Sequence, residues 1–115
     1  MIETLMERYE RAQMYFDAKD FVTASTLLDE LVEDVPDETA VRVLLARAYF
    51  HSAQLHRAER ELRIVLDRDP VDDYAHLLLG RTLERQSRHG EAARHLRIAE
   101  AMTGESSRRI LEPVD

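Results

Sequence analysis

With 115 residues the chain has room for one domain, and its 44 % apolar and 34 % charged residues are the mixture of a folded helical protein rather than a disordered one. A formal net charge of −7 disfavours nucleic acid as a partner, because phosphate binding draws on clustered Lys and Arg. There is no cysteine, which excludes disulfides and thiolate metal sites, and no apolar run approaches the roughly 20 residues of a membrane-spanning helix.

The first predicted helix, residues 3–17, carries Ala12 and Tyr15 on its apolar face and gives out at Ala18-Lys19-Asp20. A second, residues 21–34, places Ala24, Leu28 and Leu31 three and four apart. It ends at Val35-Pro36-Asp37, where proline lacks the N–H a helix needs and clashes with the preceding turn. Residues 38–52 follow with Leu45, Ala48 and Tyr49, then a break at Ala53-Gln54 and a fourth helix, 55–68, with Ala58, Leu62, Val65 and Leu66. Asp69-Pro70-Val71-Asp72 separates this from residues 72–86. Ser87-Arg88-His89-Gly90 then leads into 89–102, with Ala92, Leu96 and Ala99. Asp37, Asp72 or Asp73 can cap the helices they precede by accepting backbone N–H bonds. Beyond Gly104, residues 105–115 read as a tail, either a short helix from Ser106 or Ser107 through Leu111, stopped by Pro113, or disordered chain.

A step of 34 residues runs through these segments. It links Pro36 with Pro70, and also Ala12-Ala46-Gly80, Tyr15-Tyr49-Leu83, Ala24-Ala58-Ala92, Leu28-Leu62-Leu96 and Leu31-Val65-Ala99. Five positions recurring in three copies define repeats at about 5–36, 37–70 and 71–104 within a single domain, 1–104. Alanine or glycine is required wherever two helices approach most closely, and the bulkier Tyr15, Tyr49 and Leu83 fill the space beside them.

These residues resemble the tetratricopeptide repeat family, whose pattern places Leu-Gly and then Tyr in a first helix, and Ala, a large apolar residue and Pro in and after a second. The middle repeat matches best, through Leu45-Ala46, Tyr49, Ala58, Leu62 and Pro70; the first departs from the pattern at Arg8 and Arg11. The resemblance implies an all-α, right-handed α-solenoid of three helix-turn-helix repeats, with a concave face lined by the first helix of each. On that face it implies a partner-binding groove of Tyr9, Gln13, Phe16, Val43, Leu44, Arg47, Phe50, His51, Tyr74, Leu77, Leu78, Arg81 and Arg85. The family's clamp for acidic chaperone tails, built from Lys and Asn, is absent: Tyr9, Gln13, Leu44, Tyr74 and Leu78 stand at its positions.

The groove is richer in apolar and aromatic side chains than a solvated face, which marks it either as a contact surface or as a surface buried on itself by superhelical curvature. Arg47, Arg81 and Arg85 suit carboxylates. The expected partner is therefore another protein or peptide, apolar with acidic residues. The alternative is a self-associating homodimer through the repeat ends, because Leu96, Ile98 and Met102 lack a full capping helix. No catalytic constellation, phosphate loop or cofactor motif is present, so a non-enzymatic adaptor is expected, with no cofactor, no nucleic acid and no membrane. No two histidines share i, i+4 spacing, His76 stands alone, and Glu91 with His95 reads as a surface ion pair. The first 20 residues lack a secretory signal, which points to the cytoplasm, and an Arg-rich, almost Lys-free composition fits a GC-rich bacterial genome.

Overall fold

The computed structural model describes residues 2–111, with side chains through residue 103. Six helices follow one another: α1 (Leu5–Asp17), α2 (Phe21–Asp34), α3 (Thr39–His51), α4 (Leu55–Arg68), α5 (Asp73–Arg85) and α6 (His89–Leu111). Five begin and end within a residue or two of the sequence expectation. The last does not. It continues through Gly104 to Leu111 instead of breaking near residue 103, since an internal glycine weakens a helix by about 1 kcal/mol but forbids none of its hydrogen bonds. The expected stop at Pro113 lies outside the described residues. Among those described, no helix is long and apolar enough to cross a membrane.

Polar residues before the helices satisfy some of their orphan N–H groups. Thr4 accepts from the Glu7 N–H at 3.1 Å, Asp20 from Thr23 at 3.2 Å and Asp72 from Ala75 at 2.9 Å. Asp37 does not cap α3; Glu38 holds that position, with no side-chain bond.

Inside every repeat the first helix ends in the same way. Lys19, Ala53 and Ser87 adopt φ of 64°, 61° and 60°. The N–H after each of them returns to the carbonyl of Tyr15, Tyr49 and Leu83, at 2.9, 2.8 and 3.0 Å, while their own N–H groups reach Phe16, Phe50 and Glu84. This pair of bonds closes a helix with one left-handed residue. Here the conformation is repeated three times without glycine.

Each helix packs on the next in sequence, and α3 also touches α5. The first helices thus gather on one side and the second helices fan out on the other, giving an elongated body of 56 × 40 × 27 Å. Ala12, Ala24, Ala46, Ala58 and Ala92 are all essentially inaccessible. At Gly80 a Cβ would stand 2.5 Å from Leu96 Cδ2 and 2.6 Å from its Cγ, so the need for a small residue at close approach is met here by the smallest.

Two buried polar pairs cross between helices at one register. In the second repeat Arg42 of α3 donates to Glu61 of α4 at 2.5 Å and to the Pro36 carbonyl at 2.9 Å. In the third, 34 residues on, His76 of α5 meets His95 of α6, Nδ1 to Nδ1 at 3.0 Å, and its Nε2 lies 2.8 Å from the Pro70 carbonyl. His76 does not stand alone, and His95 is not in a surface ion pair with Glu91. His95 is buried, while Glu91 bonds to Arg88 at 3.0 Å and to Arg63 at 3.3 Å. Helix packing, not spacing along α6, selects the partner.

Candidate partner-binding face

The side formed by α1, α3 and α5 carries the residues of the expected groove, but they divide into three groups. Leu44 and Leu78 are 5 % and 7 % exposed and belong to the two core clusters, so they are packing residues and not groove walls. The reason is geometric. Leu44 turns in among residues of α1, α2 and α4, and Leu78 among residues of α3, α4 and α6, so both face neighbouring helices rather than solvent. Tyr9, Phe16, Val43 and Phe50 are half-buried and lean on those clusters. Gln13, His51, Tyr74, Leu77, Arg81 and Arg85 are exposed, with Arg47 half-exposed. Packing between helices has therefore buried part of the apolar surplus, leaving Tyr74 at 43 % and Leu77 at 39 % as its open members on α5.

Where α1 and α3 end and α2 begins, four rings meet. Phe16 stands edge-on to Phe21 (5.1 Å) and to His51 (5.8 Å), His51 stacks on Phe21 at 4.7 Å, and Phe50 stands edge-on to His51 at 5.5 Å. Two guanidiniums cover this cluster. Arg47 lies 4.6 Å over the Phe16 ring and Arg85 4.8 Å over Phe50, where Arg85 also donates to the Phe50 carbonyl at 2.8 Å. A cation over an aromatic face gains from the ring quadrupole and is held at a defined angle. Burial, then Arg47 and Arg85, hold the His51 imidazole below its ordinary pKa, which favours its uncharged form beside the two cations. Arg81 differs from both, pairing with Glu84 on its own helix at 2.9 Å.

Nearer the N-terminus a second concavity opens between α1, the end of α2 and the start of α3. It is lined mostly by apolar groups, among them Leu5, Met6, Tyr9, Val35 and Ala40. Sequence reasoning had placed Tyr9 on the face but missed the contribution of α2; Leu31 and Val35, at the repeat boundary before Pro36, were the available signal. Among the described residues, no group of three or more His, Asp or Glu is placed to hold a metal ion.

Comparison with known proteins agrees with this architecture. The tetratricopeptide repeat profile matches residues 15–82. No curated protein matches. Among solved structures, MamA (41–end) from Desulfovibrio magneticus RS-1 superposes with a TM-score of 0.82 at 23 % identity, over 90 % of this chain and 58 % of that one. A MamA AMB-1 structure gives 0.84 at 21 %, over 90 % and 61 %. A chain of the CopN–Scc3 complex gives 0.79 at 20 %, over 85 % and 58 %. The chain thus spans less than two thirds of the length of these three neighbours. The family profile covers more than half of the sequence, and the three helical hairpins stack as its repeats do: the chain belongs to the tetratricopeptide repeat family.

Proposed function

We propose that this chain is a protein-interaction module whose α1–α3–α5 face holds a peptide or helical segment combining apolar and acidic side chains. Tetratricopeptide repeats are in general interaction modules and not enzymes, and one solved neighbour is described as part of a complex, CopN–Scc3. The observation that carries the partner's chemistry is the pair Arg47 and Arg85. Both guanidiniums are laid on aromatic rings and, among the described residues, neither has a carboxylate partner. Stacking uses the flat face of the group and leaves N–H donors at its edge, already oriented for a bidentate carboxylate. Orienting them before binding lowers the entropic cost of the complex. Tyr74 and Leu77, exposed toward the start of the helix that Arg85 ends, supply apolar contact.

A photo-crosslinking residue placed at Leu77 tests this in native extract, with the same residue at Arg97 on α6 as the control. Crosslinks should form from position 77 and be lost in the Arg47→Glu/Arg85→Glu variant. Equal crosslinking from position 97, or indifference to the double charge reversal, would refute the reading.

Self-association through a repeat end is the second reading, carried by Ile2, Leu5 and Met6, which are 98 %, 49 % and 63 % exposed together at one end of the solenoid. A monomer by light scattering at a protein concentration of tens of micromolar removes it.

A further inference from the structure

We propose that the His76–His95 pair is an acid-sensitive latch: when the pair takes up a proton, α6 is released from α5 and the third repeat opens. The proton inventory of the pair follows from its geometry. The ring centroids lie 5.2 Å apart and the two Nδ1 atoms 3.0 Å apart. The difference is about one ring radius on each side, and the planes differ by only 27°. The rings therefore meet edge to edge along the line of their nitrogens, as a hydrogen bond requires and a shared metal ion does not. The Pro70 carbonyl, 2.8 Å from His76 Nε2, can only accept, so that nitrogen carries the hydrogen and His76 Nδ1 is the acceptor. His95 Nδ1 must then donate. Its Nε2 is left as a bare lone pair, buried and without a partner among the described residues.

There is no good place for another proton. On His76 Nδ1 it would set two N–H groups head to head at 3.0 Å. On His95 Nε2 it would create a buried cation with no acceptor, which is costly. The surroundings give little relief. Arg63 and Asp67 of α4 line the cleft beside the two rings, and Asp67 makes no hydrogen bond to either. On α6, Arg94 opposes the charge, while Glu91, which would favour it, is already engaged by Arg88 and Arg63. Asp72, one turn before His76, spends its carboxylate on the Ala75 N–H. Burial, followed by His76, Arg94 and Arg63, accordingly pushes His95 below the ordinary histidine value of 6.5, with Glu91 opposing.

The sign follows. A group whose folded pKa is depressed contributes stability that is complete above its unfolded value and is lost as pH falls toward the folded value. The latch is closed above about pH 6.5 and weakens below it, by up to tenfold in the opening constant per pH unit for one proton. Because α5 also carries Tyr74, Leu77 and Arg85, opening takes α6 from behind the helix that forms one wall of the proposed binding face. The second repeat has no such weakness at this register, where Arg42 already supplies the donors and Glu61 the acceptors.

Hydrogen exchange between pH 7.5 and 5, corrected for intrinsic rates, reads the opening directly. Amides of Leu79, Leu83 and Leu96 should lose up to tenfold protection per pH unit below 6.5. The His76→Arg/His95→Glu variant grafts the second repeat's pair and should abolish that loss. This comparison also separates the latch from His51, which responds to acid on α3. A double variant that keeps the full wild-type acid dependence overturns the proposal. If that variant does not fold, ¹⁵N NMR of the wild type decides. Nε2–H on His76 with Nδ1–H on His95 at pH 7.5 supports the latch, and Nε2–H on both rings overturns it.

Discussion

Replacing Glu61 with alanine is expected to cost the protein a large part of its stability, although the residue lies far from the binding face. Glu61 and Arg42 are 4 % and 6 % exposed, so neither charge is hydrated by bulk water. Glu61→Ala removes the 2.5 Å ion pair and leaves the guanidinium with one protein acceptor, the Pro36 carbonyl, while its Nε already has none. Breaking one side of a buried pair costs about 3–5 kcal/mol, because the remaining charge stays buried and uncompensated. A domain of this size is stable by about 5–15 kcal/mol in total, so the thermal midpoint should fall by on the order of 10–20 °C. Replacing both partners by apolar residues, Arg42→Met/Glu61→Leu, removes both desolvation costs and should return stability to within about 1 kcal/mol of wild type. Urea denaturation followed by circular dichroism measures all three proteins. If Glu61→Ala lies within about 1 kcal/mol of wild type, or if the double variant is as damaged as the single one, the buried-charge account fails.

Ala53 sits at φ 61° in the turn between α3 and α4; Ala53→Gly relieves a left-handed alanine, offset by greater freedom of the unfolded chain, and should raise stability by about 0.5–1 kcal/mol, read as a higher melting temperature. Leu78→Glu and Leu77→Glu, neighbours in sequence, should behave oppositely. The first buries a carboxylate in the core and should abolish the third repeat's helicity. The second, at 39 % exposure, should stay within about 0.5 kcal/mol of wild type by circular dichroism while reducing partner crosslinking from a photo-crosslinking residue at Tyr74.

The repeat architecture was legible because its signals are local. Prolines at 36 and 70 end α2 and α4 through their own missing N–H. Apolar residues three and four apart state which face of each helix is buried, and a 34-residue step needs only counting. Even the close approach at Gly80 could be read as a demand for smallness, though not that Leu96 is the side chain imposing it. The partner-binding face was legible only as a set of positions. That Leu44 and Leu78 turn inward while Leu77 stays open depends on how α3 and α5 pack against their neighbouring helices, a quantity no single helix contains. The stacking of Arg47 on Phe16 and of Arg85 on Phe50 joins residues 31 and 35 positions apart on different helices.

The buried polar pairs mark the boundary most clearly. Position 42 recurs at 76 and position 61 at 95, so the register of Arg42, Glu61, His76 and His95 was present in the chain. Along α6 alone, however, His95 has Glu91 as its natural i, i+4 neighbour, and only the docking of α6 on α5 replaces that carboxylate with a second imidazole. By itself the sequence determined three helical hairpins and their small-residue contacts, because backbone hydrogen bonding and apolar periodicity act within a few residues. The tertiary structure alone decided which side chains are open to a partner and which polar groups share a proton. Burial and hydrogen-bond partnership are properties of helices brought together, and they set both the surface available for binding and the pKa of the groups beneath it.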